Sequence, residues 1–423
     1  MSPQAPTKPT TPAPLGELHL YYLLVGLYFF AFGMQFVLFP SLVAFSLDAT
    51  PAGVGLAQSA LSAPMFCLLL FGGLLAERAR AGVALARLHL LFAGASLALA
   101  WSVNTGRVNY GALIAYAIFV GVCAAFLMPV RDAALNGVVS REAAAGRPTS
   151  IATAAATTTA VQIGAQIGGI LTARMAGASP APYLALQAGV MVAGAIVALG
   201  LQAPRPTGHE RTIVGALRDM REGLAYAFRD KVMASMLMSA CYVGVFVIGS
   251  LQVLFPLIVR DVYGGGAQVQ AGRLGALLAA FWAASFVSAV LLSRFSPLRR
   301  PGRAMIVSHL VSALALFSFA FHKPFQAFIV VVGLWGLAAG VAISMSRTIV
   351  QSAVDSRYLG RVLAVYSMGF MGGAPLGSAL VGFAATEWGP LAAALAPALG
   401  LAAAAIVLAL TTPLWRFAPG HEA

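Results

Sequence analysis

Long apolar runs, separated by short polar breaks, fill the chain from Leu20 to Leu414. Each run is about 20 residues, the length a helix needs to cross a bilayer. Twelve can be counted, at residues 20–45, 52–76, 83–103, 109–130, 150–172, 182–203, 233–259, 274–293, 304–321, 325–346, 362–385 and 390–414. The pattern predicts an all-α membrane protein with 12 transmembrane helices. Composition points the same way: 60% of the 423 residues are hydrophobic and 9% charged, with a mean hydropathy of +0.87. Soluble domains run at about 45–50% apolar and about 25% charged.

The polar breaks predict orientation. With the N-terminus placed in the cytoplasm, only Arg107, Arg174, Arg260, Arg273 and Lys323 of the 26 Lys and Arg fall outside. Cytoplasmic loops carry the excess of positive charge, so both termini are expected inside. The leader "MSPQAPTKPTTPAP" lacks the short apolar core and small-residue cleavage site of a signal peptide, which leaves a disordered tail before a retained span. The net charge of +13 does not indicate nucleic acid, because the basic residues are strung between spans and form no single patch. Cys67, Cys123 and Cys241 lie in three separate spans without metal-ligand spacing, which favours packing.

Shifting the sequence against itself by 216 residues aligns Gly33 with Gly249 and "VLFP" at Val37 with "VLFP" at Val253. The same register pairs Arg78 with Arg294, Arg131 with Arg347, and Arg141 with Arg357. Two parallel repeats of six spans are implied, an architecture of transporters that bind substrate between the halves. The expected organisation is a tail over 1–16, a six-helix half over 17–203, a cytoplasmic linker over 204–232, a second half over 233–415 and a tail over 416–423. In the linker, Ile213, Leu217, Leu224 and Phe228 recur at roughly helical spacing. A surface amphipathic helix lying on the membrane and a plain solvated connector both fit.

Four passages resemble the major facilitator superfamily, and within it the branch of siderophore and drug exporters similar to the enterobactin exporter. "GGLLAERARAG" resembles the loop after the second span, with Gly73, Glu77 and Arg78 in place. "PVRDAALNGVVSREAAAGRPTSIATAAATTTAVQIGAQIGGIL" resembles the Pro-x-Arg passage and the glycine-rich fifth span, and "LRDMREGLAYAFRD" the linker helix. "RTIVQSAVDSRYLGRVLAVYSMGFMGGAPLGSALVG" is the closest match. Glu77 replaces the usual aspartate, and Gly164-Ala165 replaces a Gly-Pro. The resemblance implies export by exchange, with proton antiport, from the bacterial inner membrane.

Small residues let membrane helices approach closely. Ala152, Ala156, Ala160, Gly164 and Gly168 form one stripe on the fifth span, followed by Gly169. Gly369, Gly373 and Gly377 form another on the eleventh, where Pro375 predicts a bend. These stripes are expected to pack helices, and the resemblance adds an antiporter role to the first. Glu77, Arg78, Arg131 and Asp132, with Gly73, are candidates for an inner gate, the alternative being ordinary positive-inside anchoring. None of the 13 acidic residues falls in mid-membrane, where a carboxylate commonly marks a proton relay. Asp48 comes nearest, and His89 and His309 are expected to pack at the membrane interface.

Candidates for a substrate cavity are the polar and aromatic residues of the spans that line the central path in the resembling family: Gln35, Gln162, Gln166, Tyr242, Gln252, Trp282, Trp335 and Tyr366. An amide in hydrocarbon is costly unless bonded. Each singly reads as helix glue and the group together as a wet cavity. The expectation is a secondary exporter of a small amphiphilic compound, a siderophore or drug-like molecule. It is expected to act as a monomer with lipid and protons as partners, without cofactor, metal, catalytic residues or nucleic acid. An importer, an uncoupled facilitator, and a membrane receptor or enzyme of the same fold remain alternatives; no nucleotide loop or nucleophile elbow supports an enzyme.

Overall fold

The computed structural model describes residues 16–418 apart from 148, 178, 202–212, 296–297 and 355–358; the side chains of Glu77 and Arg78 are among those outside the description. All but Gly16 of the expected tail over 1–16 and most of that over 416–423 lie outside the described residues, as does the first part of the linker.

Regular structure among the described residues is helical throughout. The first half comprises α1 (Glu17–Ser41), α2 (Pro51–Arg78), α3 (Ala81–Asn104), α4 (Tyr110–Ala144), α5 (Ile151–Ala173) and α6 (Pro180–Leu199). A connecting helix, α7 (Ile213–Arg229), covers part of the expected linker and leaves Leu224 and Phe228 exposed. The second half comprises α8 (Lys231–Val243), α9 (Gly249–Ile258), α10 (Ala267–Phe295), α11 (Pro301–Ser318), α12 (Phe325–Ala353), α13 (Leu359–Ala393) and α14 (Leu395–Thr411). A π-helical turn at Gly244–Ile248 joins α8 to α9, so the two form one rod from Lys231 to Tyr263. Nine helices among the described residues are long and apolar enough to span a membrane, and α14 is a shorter apolar helix.

The eleventh and twelfth windows meet differently from the expected break. α13 runs on to Ala393 around a kink at Gly389, whose φ of 75° only glycine adopts readily. α4 also departs from its window, which ends at 130, and continues to Ala144. Arg131 and Asp132 are therefore on a helix and not in a loop. The charged extension is accommodated by partners: Glu17 of α1 takes a two-pronged bond from Arg141 at 2.6 and 2.7 Å. Glu142 accepts from Arg147 at 2.6 Å and from the Leu18 amide at 3.3 Å, placing a carboxylate at the N-terminus of α1.

The repeat is written into the geometry. α1 is followed by a π turn at Leu42–Ser46 and α9 by one at Val259–Tyr263, each a few residues beyond its "VLFP" proline. A π turn closes an i→i+5 bond, here Leu47 N to Leu42 O and Gly264 N to Val259 O at 3.0 Å each. Asp48 and Gly264, 216 residues apart, both have positive φ, at 46° and 58°. Within the first half α2 packs along α4, α1 along α5 and α3 along α6. Within the second, α9 packs along α13, α10 along α12, and α11 along α12 and α14. The halves meet through α2 against α13 and α5 against α10, two pairs that the 216-residue shift exchanges.

Candidate functional site

Between the halves, nearer the end that carries the α1–α2 and α9–α10 connections, lies a cavity of about 700 Å³ including its share of open solvent. Its walls are mostly apolar, with Phe32, Phe36, Met65 and Phe92 from the first half and Leu251 and Leu274 from the second. Polar groups enter sparingly: Tyr28 and Gln35 from α1, Gln58 and Ser62 from α2, and Gln252 from α9. No charged side chain among the described residues lines it. An apolar wall with a few polar groups is the lining that small-molecule sites carry.

Gln35, 2% exposed, is set by its neighbours. Gln187 of α6 donates from Nε2 to the Ala31 carbonyl at 2.9 Å and to Gln35 Oε1 at 3.0 Å, and the Tyr116 hydroxyl donates to the same Oε1 at 2.7 Å. Across the cavity the Ser378 hydroxyl donates to Gln252 Oε1 at 3.1 Å. Of the eight expected cavity residues, Gln35 and Gln252 line the cavity. Gln166 is buried at the α1 crossing, where its backbone lies against Gly33, and Gln162 is half-buried on the same helix. The Tyr242 hydroxyl lies 2.6 Å from His309 Nδ1, between α8 and α11. Trp335 is fully buried among Phe255, Phe281 and Phe319, with ring centroids 5.1–5.9 Å away. Trp282 packs on Phe36, and Tyr366 sits in a small recess beside Met233 and Val350. Sequence reasoning missed Tyr28, Gln58 and Ser62; the serine and glutamine sit one turn apart on α2, a spacing that could have signalled a shared face.

At the end carrying the α1–α2 and α9–α10 connections the halves are fastened together. Arg260 Nη1 donates to the Ala49 carbonyl at 2.6 Å and to the Ala44 carbonyl at 3.3 Å, and lies 3.3 Å from Asp48, whose carboxylate is otherwise exposed. The Ala52 amide donates to Thr386 Oγ1 at 2.9 Å and Ser59 Oγ to the Pro375 carbonyl at 2.7 Å. Gly55 of α2 faces α13 so closely that a Cβ there would stand 2.5 Å from Ser378 O and 2.9 Å from Gly382 Cα.

The glycine stripes divide. Gly373 approaches the Cys241 carbonyl and Gly377 that of Val245, while Gly369 meets Cys241 Sγ, so this stripe packs α13 against α8 and the π turn after it. On α5, however, Ala152, Ala156, Ala160 and Gly164 lie on an exposed face, and Gly168 is half-buried against the Phe30 ring. The packed face is the neighbouring one, where Gly169 meets the Phe30 backbone. The expected packing stripe is thereby corrected: burial follows the α1 crossing, and four-residue spacing alone does not say which face meets it.

Arg131 is 8% exposed and pairs with its neighbour Asp132 at 2.6 Å, its guanidinium 4.9 Å from the Phe29 ring centroid. Gly73 has open space around it, and the expected contributions of Glu77 and Arg78 rest on side chains outside the described residues. His89 and His309 are both buried within the protein: His89 Nδ1 bonds the Leu85 carbonyl at 2.8 Å and His309 Nδ1 the Tyr242 hydroxyl.

The model of the transmembrane secretion effector family matches residues 32–418, nearly the whole chain. The chain belongs to the major facilitator superfamily. This transporter is 26% identical over 161 residues to the enterobactin exporter EntS of Salmonella choleraesuis strain SC-B67, and equally to that of Escherichia coli strain HS. The match spans 38% of this chain and 38% of each of those curated relatives. Among solved structures it resembles the nucleoside transporter NupG, with a TM-score of 0.74 and 15% identity over 95% of this chain and 100% of that one. A bacterial homologue of the human lysosomal transporter Spinster, in an inward-facing unoccupied conformation, gives 0.70 and 14% over 94% and 95%. At such identities these two structures support the fold alone. The transporter is a multi-pass membrane protein, and its family and fold neighbours are transporters, not enzymes.

Proposed function

We propose that this transporter exports a small amphiphilic organic compound, siderophore-like or drug-like, across the bacterial inner membrane by alternating access. The observation that carries the reading is the apolar, sparsely polar cavity between halves that are fastened at one end. The likeness to enterobactin exporters supports the direction and the substrate class. In this reading 12 spans cross the membrane, both termini are cytoplasmic, the end closed by Arg260 faces outward and α7 lies on the cytoplasmic surface. The transporter works as a monomer and exchanges substrate for protons.

A facilitator without ion coupling is the second reading, favoured by the uncharged cavity wall. Inverted membrane vesicles containing the full chain decide between them, using enterobactin and a panel of amphiphilic drugs. Antiport predicts accumulation that collapses when the proton gradient is dissipated. Equilibration that ignores the gradient overturns antiport, and absence of uptake for every compound overturns export.

A further inference from the structure

We infer that the cavity selects uncharged amphiphiles bearing a strong hydrogen-bond acceptor, and that Gln35 Nε2 is the donor that receives it. The inference rests on the transport reading and names the chemistry of its substrate. It follows from a chain of fixed amides. The Ala31 carbonyl can only accept, so the Gln187 group beside it is the donating Nε2. The same Nε2 reaches Gln35, whose facing atom must then be Oε1, and the Tyr116 hydroxyl bonds that oxygen too. An amide is planar, so with Oε1 held by two donors the NH2 is turned away from them.

Gln35 stands in the cavity wall, and its Nε2 is buried without a hydrogen-bond partner. The Tyr28 hydroxyl, in the same wall, is also buried and unpartnered. Across the cavity, Ser378 occupies Gln252 Oε1, so this amide likewise has its donor half left for an occupant. Unmade hydrogen bonds of buried donors are costly, and an acceptor on the occupant relieves that cost. An ion gains nothing comparable: no described side chain lining the cavity carries charge to balance it. Arg131 does not line the cavity and is already paired with Asp132.

Four probes of similar bulk separate the chemistries: triphenylphosphine oxide (neutral, strong acceptor), triphenylmethane (neutral, no acceptor), tetraphenylphosphonium (cation) and tetraphenylborate (anion). Equilibrium binding to the purified full chain in detergent is expected to favour the oxide over both ions by about tenfold or more, the scale of one well-made hydrogen bond. Gln35→Leu is expected to weaken the oxide about tenfold and to leave triphenylmethane unchanged. Tyr116→Phe, a positioning change behind the wall, is expected to narrow the oxide-to-triphenylmethane ratio without abolishing binding. Equal binding of an ion, failure of the oxide to bind, or an unchanged oxide affinity in Gln35→Leu overturns the assignment. If Gln35→Leu is not monodisperse, the wild-type probe ranking and Gln252→Leu decide, an unaltered oxide affinity in the latter counting against the paired donors. Binding is read without transport, so a failure of export in vesicles is distinguishable from a failure here.

Discussion

Replacing Gly55 by valine tests which surfaces must separate during the transport cycle. The added Cβ would stand 2.5 Å from Ser378 O and 2.9 Å from Gly382 Cα, where relaxed carbon contacts sit at about 3.5–4.0 Å. α2 and α13 must therefore part by on the order of 1 Å at this level, and overpacking of that degree costs about 1–3 kcal/mol. The contact joins the two halves, so the cost falls on the state in which this end is closed. A penalty of that size moves the equilibrium away from closure by about 5- to 150-fold. Spin labels at Thr105 and Gln326, exposed at the same end on opposite halves, report the separation by pulsed electron resonance in nanodiscs. The background must lack Cys67, Cys123 and Cys241, the first and last being exposed. Gly82→Val is the control, because its Cβ would meet the Ala198 and Leu201 carbonyls at 2.6 and 2.8 Å within one half. It should lower the melting temperature and leave the label distance unchanged. A folded Gly55→Val variant with a wild-type distance distribution would refute the reasoning.

Arg260→Ala leaves the Ala49 carbonyl without its donor and removes about 1 kcal/mol or more of closure; the same labels should report a shift in the same direction, roughly fivefold. Gly169→Leu forces a side chain into the Phe30 carbonyl and should cost monodisperse protein on size exclusion, whereas Gly164→Ala, with nothing within 4 Å, should hold or raise the melting temperature because alanine favours the helix by about 1 kcal/mol over glycine. Asp132→Ala strips the carboxylate from a guanidinium only 8% exposed, so it should destabilise more than the double change with Arg131→Met, an ordering thermal unfolding can check.

The apolar windows and the "VLFP" register made the two-half helical architecture legible, because burial in lipid demands uninterrupted apolar length and because a duplicated rod keeps its proline and its end-arginine in step. Helix limits were less legible where charge was balanced internally: Arg131 and Arg141 looked like loop residues, yet Asp132 and Glu17 let the helix carry them. Faces were harder still. Gly164 and Gly169 are both small residues on one helix, and only the position of α1 decides that the second is packed. The cavity shows the same limit. Gln35 and Gln187 look alike in sequence, but one lines the cavity and the other aims it. Trp335 lies on a span that the family resemblance leads one to expect along the path, and a cage of phenylalanines holds it in the core.

Arg260 and Ala44 occupy the same position in the two copies of the repeat, and Arg260 Nη1 reaches the Ala44 carbonyl. A position that touches its own counterpart lies close to the pseudo-two-fold axis. In a dimer of identical halves it would be filled twice by one residue type. Two arginines would crowd two cations onto one spot, and two alanines would leave both carbonyls out of reach. The latch thus requires a key on one side and a keyhole on the other, a division of labour closed to identical copies and open to copies free to diverge, as the two in this chain have. Asp48, standing where the other copy keeps Gly264, adds an exposed acid 3.3 Å from the arginine, whose tighter pairing is with its own neighbour Asp261 at 2.5 Å.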